Sequence, residues 1–97
     1  MSLLHIAWFR FKPGVSSDRI ERHLVACREL MGRVPAVRDL QCGSNLSDRA
    51  AGMTHGIVVT LADYAALLAY LEHPAHIPVA TALKEDISEL RVMDLQT

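Results

Sequence analysis

Seven consecutive residues, Tyr70-Leu71-Glu72-His73-Pro74-Ala75-His76, carry a phenol and two imidazoles around a proline. Such groups accept, donate or relay a proton near neutral pH. Proton abstraction beside a carbonyl needs a base and a hydrogen-bond donor for the enolate oxygen. A Tyr–His pair can supply both, with Tyr70 orienting the oxygen and a neutral imidazole, of ordinary pKa about 6.5, moving the proton. The plainer role for Tyr70 is a helix-flank aromatic with its hydroxyl in water. Other chemistries lack their signatures. Neither cysteine nor any serine stands in a nucleophile motif, and the isolated glycines form no phosphate or dinucleotide loop. His73 and His76 have a spacing that chelates on a helical turn, but Pro74 breaks the helix and Glu72 is the sole nearby carboxylate. With no HExxH or paired-Cys pattern, no metal and no cofactor are expected.

The elements that must position this segment follow from periodicity. Residues 3–11 read as a strand with Leu3, His5, Ala7, Phe9 and Phe11 on one face and Leu4, Ile6, Trp8 and Arg10 on the other. Lys12-Pro13-Gly14 is a turn. Ser16-Ser17-Asp18 offers N-caps for a helix to about Arg33, with an apolar stripe at Ile20, Leu24, Cys27, Leu30, Met31 and Val34 and with His23 on its flank. A second strand is expected over 36–43, a loop from Ser44 to Gly52, and a third strand over 54–61 whose stronger face is His55, Ile57, Val59 and Leu61. Asp63 caps a short helix with apolar positions Tyr64, Leu67, Leu68 and Leu71, stopped by Pro74. Pro78 suits the first turn of another helix through Val79, Ala80, Leu83 and Lys84. A last strand covers 89–95.

The order is β-α-β-β-α-(α)-β, an α+β ferredoxin-like protomer with a four-stranded antiparallel sheet. Helices then cover one sheet face. The other, with Leu4, Ile6, Trp8, Val58 and Met93, would be an exposed apolar patch, and such patches mark interfaces. A homodimer with two sheets face to face is therefore expected. Period two places His5 and His55 on the helix-facing side, and with His23, His73 and His76 all five histidines fall at or near it. An imidazole on an apolar strand is also often a satisfied core group.

Composition bounds the function. The 97 residues suit one domain, 1–97, and 51% hydrophobic with 22% charged residues is a globular balance. A net charge of −1 argues against a general nucleic-acid or anionic-membrane binder. Apolar runs break well before membrane-spanning length, and the N-terminus lacks a signal-peptide pattern. Cys27 and Cys42, far apart and with no CxxC spacing, read as reduced, mostly buried thiols of a cytoplasmic protein, with a structural disulfide as the alternative.

Several segments together resemble the stress-responsive A/B barrel domain family, within the dimeric α/β-barrel superfamily. They are Leu4-His5-Ile6 with Phe9-Arg10-Phe11-Lys12, Pro35-Ala36-Val37, Gly43-Ser44-Asn45, Gly52-Met53-Thr54-His55, the Tyr70–His76 segment and Val92-Met93-Asp94. The resemblance implies a ferredoxin-like protomer paired into a dimeric α/β barrel. By similarity to plant polyketide cyclases of the olivetolic acid cyclase type, it implies Tyr70 as the substrate-positioning tyrosine and His76 as the catalytic base. It also implies that His5, His55 and His73 line the cavity, with Ala7, Phe9, Ile57, Val59, Leu90 and Val92 as apolar wall. His23 and Cys27 stand where that cyclase type has aromatic residues, so a more polar pocket and a substrate other than a long alkyl polyketide are expected.

Three readings follow. One is a cofactor-free lyase- or cyclase-type enzyme, or a binder, for a small carbonyl or phenolic metabolite. The second is a non-catalytic, stress-related dimeric module. The third is a heme- or metal-handling relative.

Overall fold

The computed structural model describes residues 1–97, and its elements run β1 (Leu3–Phe11), α1 (Ser17–Arg33), β2 (Asp39–Ser44), β3 (His55–Leu61), α2 (Tyr64–Leu71), α3 (His76–Asp86) and β4 (Ile87–Gln96). One antiparallel sheet has strand order β2-β3-β1-β4, the ferredoxin-like arrangement. Its two central strands are β1 and β3, the most apolar of the four, as sheet interiors require.

Local chemistry sets the boundaries. Lys12 to Val15 closes a turn in which Gly14 takes φ +90°, open to glycine at little cost. Ser16 then caps α1, its hydroxyl accepting from the Arg19 amide at 3.2 Å. Asp63 does the same for α2, accepting from Ala66 at 2.9 Å. Among the boundaries that differ from the periodicity reading, including β3 from His55 and β4 from Ile87, two have a clear local cause. β2 begins at Asp39 because Val34-Pro35-Ala36-Val37 is a turn, closed by the Val37 amide on the Val34 carbonyl at 3.1 Å. α3 begins at His76, two residues before Pro78, because the His73 carbonyl accepts from the His76 and Ile77 amides at 2.9 and 3.2 Å.

The core lies between the helices and one sheet face. All five inward residues of β1, namely Leu3, His5, Ala7, Phe9 and Phe11, are buried, with Ile57, Val59 and Leu61 beside them on β3. Cys27 and Leu30 of α1, followed by Val34, pack onto them, and Leu24 of the same helix is buried as well. Burying such side chains stabilises by about 1.5–3 kcal/mol each, before the entropy of ordering is charged. The stripe is narrower than expected: Met31, one position round from Leu30, is 47% exposed. In α2 the inward pair is Leu67 and Tyr70, while Tyr64 is 65% exposed.

No helix covers the opposite face. Register places Ile6 between Val58 and Met93, and Leu4 beside Leu95, so these apolar side chains share it. Val58, Met93 and Leu95 are all exposed. A groove of about 430 Å³ runs over this side, its lining including Ile6, Trp8, Gly56 and Val58. No helix is long and apolar enough to cross a membrane.

Candidate active site

Between the helices and the sheet lies a cavity of about 160 Å³. Its wall takes His5, Ala7 and Phe9 from β1, Cys27 and Leu30 from α1, Ile57 from β3, and Tyr70 and Leu71 from α2. The α3 and β4 side consists of His76, Val79, Ala80, Leu83, Lys84, Ile87, Leu90 and Val92. The lining residues that stay exposed, Leu71, Lys84, Leu90 and Val92, mark its mouth. A cavity of this size is close to what benzene fills, and below the range for drug-sized ligands.

Four side chains, His76, Tyr70, His5 and Lys84, give the cavity its polarity. The His76 ring lies 4.4 Å from the Tyr70 ring, centroid to centroid. His76 Nδ1 donates to the Leu71 carbonyl at 3.1 Å, which fixes the proton on Nδ1 and leaves Nε2 with a free lone pair in the neutral ring. Burial lowers its pKa, opposed by the Leu71 carbonyl and aided by the charges of His5, Lys84 and His73. Near pH 7 it is a neutral base. Tyr70 is the converse. Its residue is 2% exposed, yet no protein group accepts from its hydroxyl. Every fully enclosed side-chain nitrogen and oxygen has a partner, so that hydroxyl faces the cavity space. Burial first, then the neighbouring Cys27 and Cys42, pushes its pKa far above the ordinary phenol value, so it is a donor and not a phenolate. A third group stands beside them. His5 is edge-on to Tyr70 at 5.8 Å and donates Nδ1–H to the Asp94 carboxylate at 2.6 Å. That bond fixes the orientation and tautomer of His5.

Comparison with known proteins places this geometry. The stress-responsive A/B barrel domain, Dabb, matches residues 3–97. The chain belongs to that family. An uncharacterized protein of Streptomyces coelicolor is 36% identical over 74 residues, covering 74% of this chain and 76% of its own. Olivetolic acid cyclase of Cannabis sativa is 23% identical over 96 residues, covering 97% and 95%. Among solved structures, the hydroxynitrile lyase of Passiflora edulis superposes with TM-score 0.90 at 22% identity, covering 97% of this chain and 91% of that one. A dimeric ferredoxin-like protein of unknown function from Thermobifida fusca superposes with TM-score 0.88 at 23% identity, covering 100% and 92%. At these identities the two structures establish the fold.

This A/B barrel chain brings together nine of the thirteen site residues expected from its sequence: His76, Tyr70, His5, Ala7, Phe9, Cys27, Ile57, Leu90 and Val92 all line the cavity. Four do not. His23 stacks on Phe11 and donates Nε2–H to Asp86 at 2.6 Å, a carboxylate that Arg19 also holds at 2.6 Å. His55 stacks on Phe9, meets Phe11 edge-on, and shares a 2.8 Å hydrogen bond with Thr54. His73 accepts from the Ala75 amide at 3.0 Å and so braces the start of α3. Val59 is wholly enclosed in the core. The more polar pocket expected from His23 and Cys27 is therefore corrected: His23 turns to Asp86, and Cys27 is a buried thiol whose pKa desolvation raises to about 11.

Asp94 and Lys84 were not among the expected site residues. Lys84 was legible, since His76, Val79, Ala80, Leu83, Lys84 and Ile87 repeat as one helical stripe. Asp94 was not, because only the β1–β4 register sets it opposite His5. No three His, Cys, Asp or Glu side chains gather in a metal-binding arrangement. Cys42 is likewise unpaired, its thiol donating to the Leu24 carbonyl at 3.5 Å.

Proposed function

We propose that residues 1–97 act as one stress-responsive A/B barrel domain that moves a proton at or beside the carbonyl of a small, largely apolar metabolite. The observation that carries this reading is the Tyr70–His76 pair at 4.4 Å, a held-neutral base beside a held-protonated donor facing one cavity. His76 Nε2 takes the proton from a carbon next to the carbonyl, leaving an enolate, or from the hydroxyl of a hydroxynitrile. In the second case the carbon bearing that hydroxyl becomes the carbonyl as its bond to cyanide breaks, and the cyanide leaves as HCN with the proton that His76 returns. The Tyr70 hydroxyl donates to the oxygen where negative charge develops. Neither step calls for a group beyond these two. His5, oriented by Asp94, supplies a second polar contact in the wall. The names of two similar proteins fit: breaking a hydroxynitrile and closing an olivetolic acid ring are both reactions at carbon bearing oxygen. The cavity's size favours a ligand of about one ring over a long alkyl chain. The two unpaired cysteines suit a reducing, cytoplasmic setting.

The test is proton–deuterium exchange into small ketones and carbonyl release from small hydroxynitriles, with wild type beside Tyr70→Phe and His76→Ala. Catalysed turnover lost in both variants is the expected result. No turnover with any probe, or turnover undiminished in His76→Ala, overturns the reading.

The protein is further proposed to work as a homodimer through the uncovered sheet face, Leu4, Ile6, Trp8, Val58 and Met93, in keeping with the dimeric Thermobifida fusca structure. Trp8→Asp should give a monomer by sedimentation. A second reading, a non-catalytic dimeric module, draws on the histidines whose bonds are structural, His23 to Asp86 and His73 to Ala75.

A further inference from the structure

Lys84 is the one lysine or arginine that lines the cavity, and its place there is built into α3. The residues of that helix on the wall stand at His76, then three, four, seven and eight positions on. Lys84 closes this stripe, so its stem rises from the inward side of the helix and not from its solvent side. Helical side chains lean toward the N-terminus, so the Lys84 stem leaves its turn in the direction of His76. No carboxylate lies within ion-pair distance of it, whereas Arg10, Arg19, Arg28 and Arg91 all have acidic partners. No carboxylate lines the cavity to compensate that charge, and Asp94, which meets the wall through His5, is engaged by that histidine.

We infer that the cavity takes a ligand carrying a carboxylate, with its apolar body among the wall residues and its anion at the mouth on Lys84. This rests on the proposed carbonyl chemistry for the identity of the reacting end, and adds an acidic group at the other. The preferred class is thus a small carboxylic acid of about one ring or equivalent bulk, a keto acid or aryl acid. The geometry sets the reach. His76 and Lys84 are eight residues apart, about 12 Å of helix rise. The charge also bears on the base. Lys84 is among the groups that lower the His76 pKa, and a bound carboxylate offsets it, making His76 a stronger base with ligand present than without.

Benzoate and benzamide test this, being alike in shape and different in charge. Binding of each is measured by titration calorimetry at low and at high salt, with wild type, Lys84→Met and Lys84→Arg. Lys84→Met keeps an apolar stem, so loss of packing does not mimic loss of charge. Wild type is expected to bind benzoate about tenfold tighter than benzamide, as a charge-assisted contact should give. The preference should shrink with salt, vanish in Lys84→Met and persist in Lys84→Arg, while benzamide affinity changes less than about twofold. The His76 ring, followed by NMR, should titrate at higher pH with benzoate bound. Equal binding of the two probes, a preference that survives Lys84→Met, or binding of neither overturns the inference. Benzoate has no exchangeable carbon-bound proton beside a carbonyl. Its binding therefore stands or falls apart from the exchange assay that judges the proton-transfer reading.

Discussion

Histidine occurs at two ends of the same helix–sheet layer, and the two ends use it oppositely. At one end His5 and His76 meet Tyr70 around a cavity, and His76 keeps Nε2 free. At the other, His23 and His55 pack on Phe11, with His23 bound to a carboxylate that Arg19 also holds. Residue type does not separate the two groups. Each of the four rings has one nitrogen bonded to protein; what separates them is position, since only His5 and His76 stand in the cavity wall. A histidine packed on core aromatics away from the cavity is a brace. One held by a single carbonyl in the cavity wall is the base of the proposed reaction.

The sharpest way to break this comparison is to remove one imidazole from each end. His76→Ala should lower turnover by roughly 10²–10⁴-fold, as loss of a positioned base does, with little change in melting temperature. A variant that loses several degrees of melting temperature along with its activity would make His76 a brace too. Tyr70→Phe comes next. It should cost about 10²–10³-fold in turnover, as loss of an oxyanion donor does, and leave stability almost untouched because that hydroxyl has no protein partner.

The pH profile sharpens the same contrast. Because burial lowers the His76 pKa, turnover should plateau at neutral pH and fall about tenfold per unit only below a midpoint under 6.5. Stability follows the same direction for His76 and His55. Their folded pKa values lie below those of the unfolded chain, so under pH 6.5 the unfolded state binds protons more readily and acid favours unfolding. The far end adds a lower window. Hydrogen bonds from His23 and then Arg19 hold the Asp86 pKa below 3.8, so its stabilisation is complete above that pH and is lost as the pH falls further. Acid melts of wild type and Asp86→Asn should differ above that window and converge below it.

The smallest effects belong to the braces. His23→Ala should lower the melting temperature by several degrees and leave turnover within about threefold, since its ring touches Phe11 and Asp86 and not the cavity. His73→Ala, which removes one bond at the start of α3, should cost about 0.5–1.5 kcal/mol of stability. Calorimetry beside the exchange assay reads both.

Local patterns along the chain determined much of this. The alternation of β1, the Ser16 and Asp63 caps, the Pro74 break and the order of elements all follow from side-chain size, polarity and backbone freedom within a few residues. So does the nearness of Tyr70 and His76 along the chain, six residues apart on either side of the Pro74 break. Tertiary structure decided the rest. Whether His23 faced the cavity or Asp86 depended on where α1 met the end of α3, residues 63 positions apart. That His5 holds Asp94 depended on a register between the two ends of the chain. Periodicity tells which face a side chain occupies, but a face is longer than a cavity. Where along it the space opens is settled only when helices and sheet pack and each polar group finds, or fails to find, its partner.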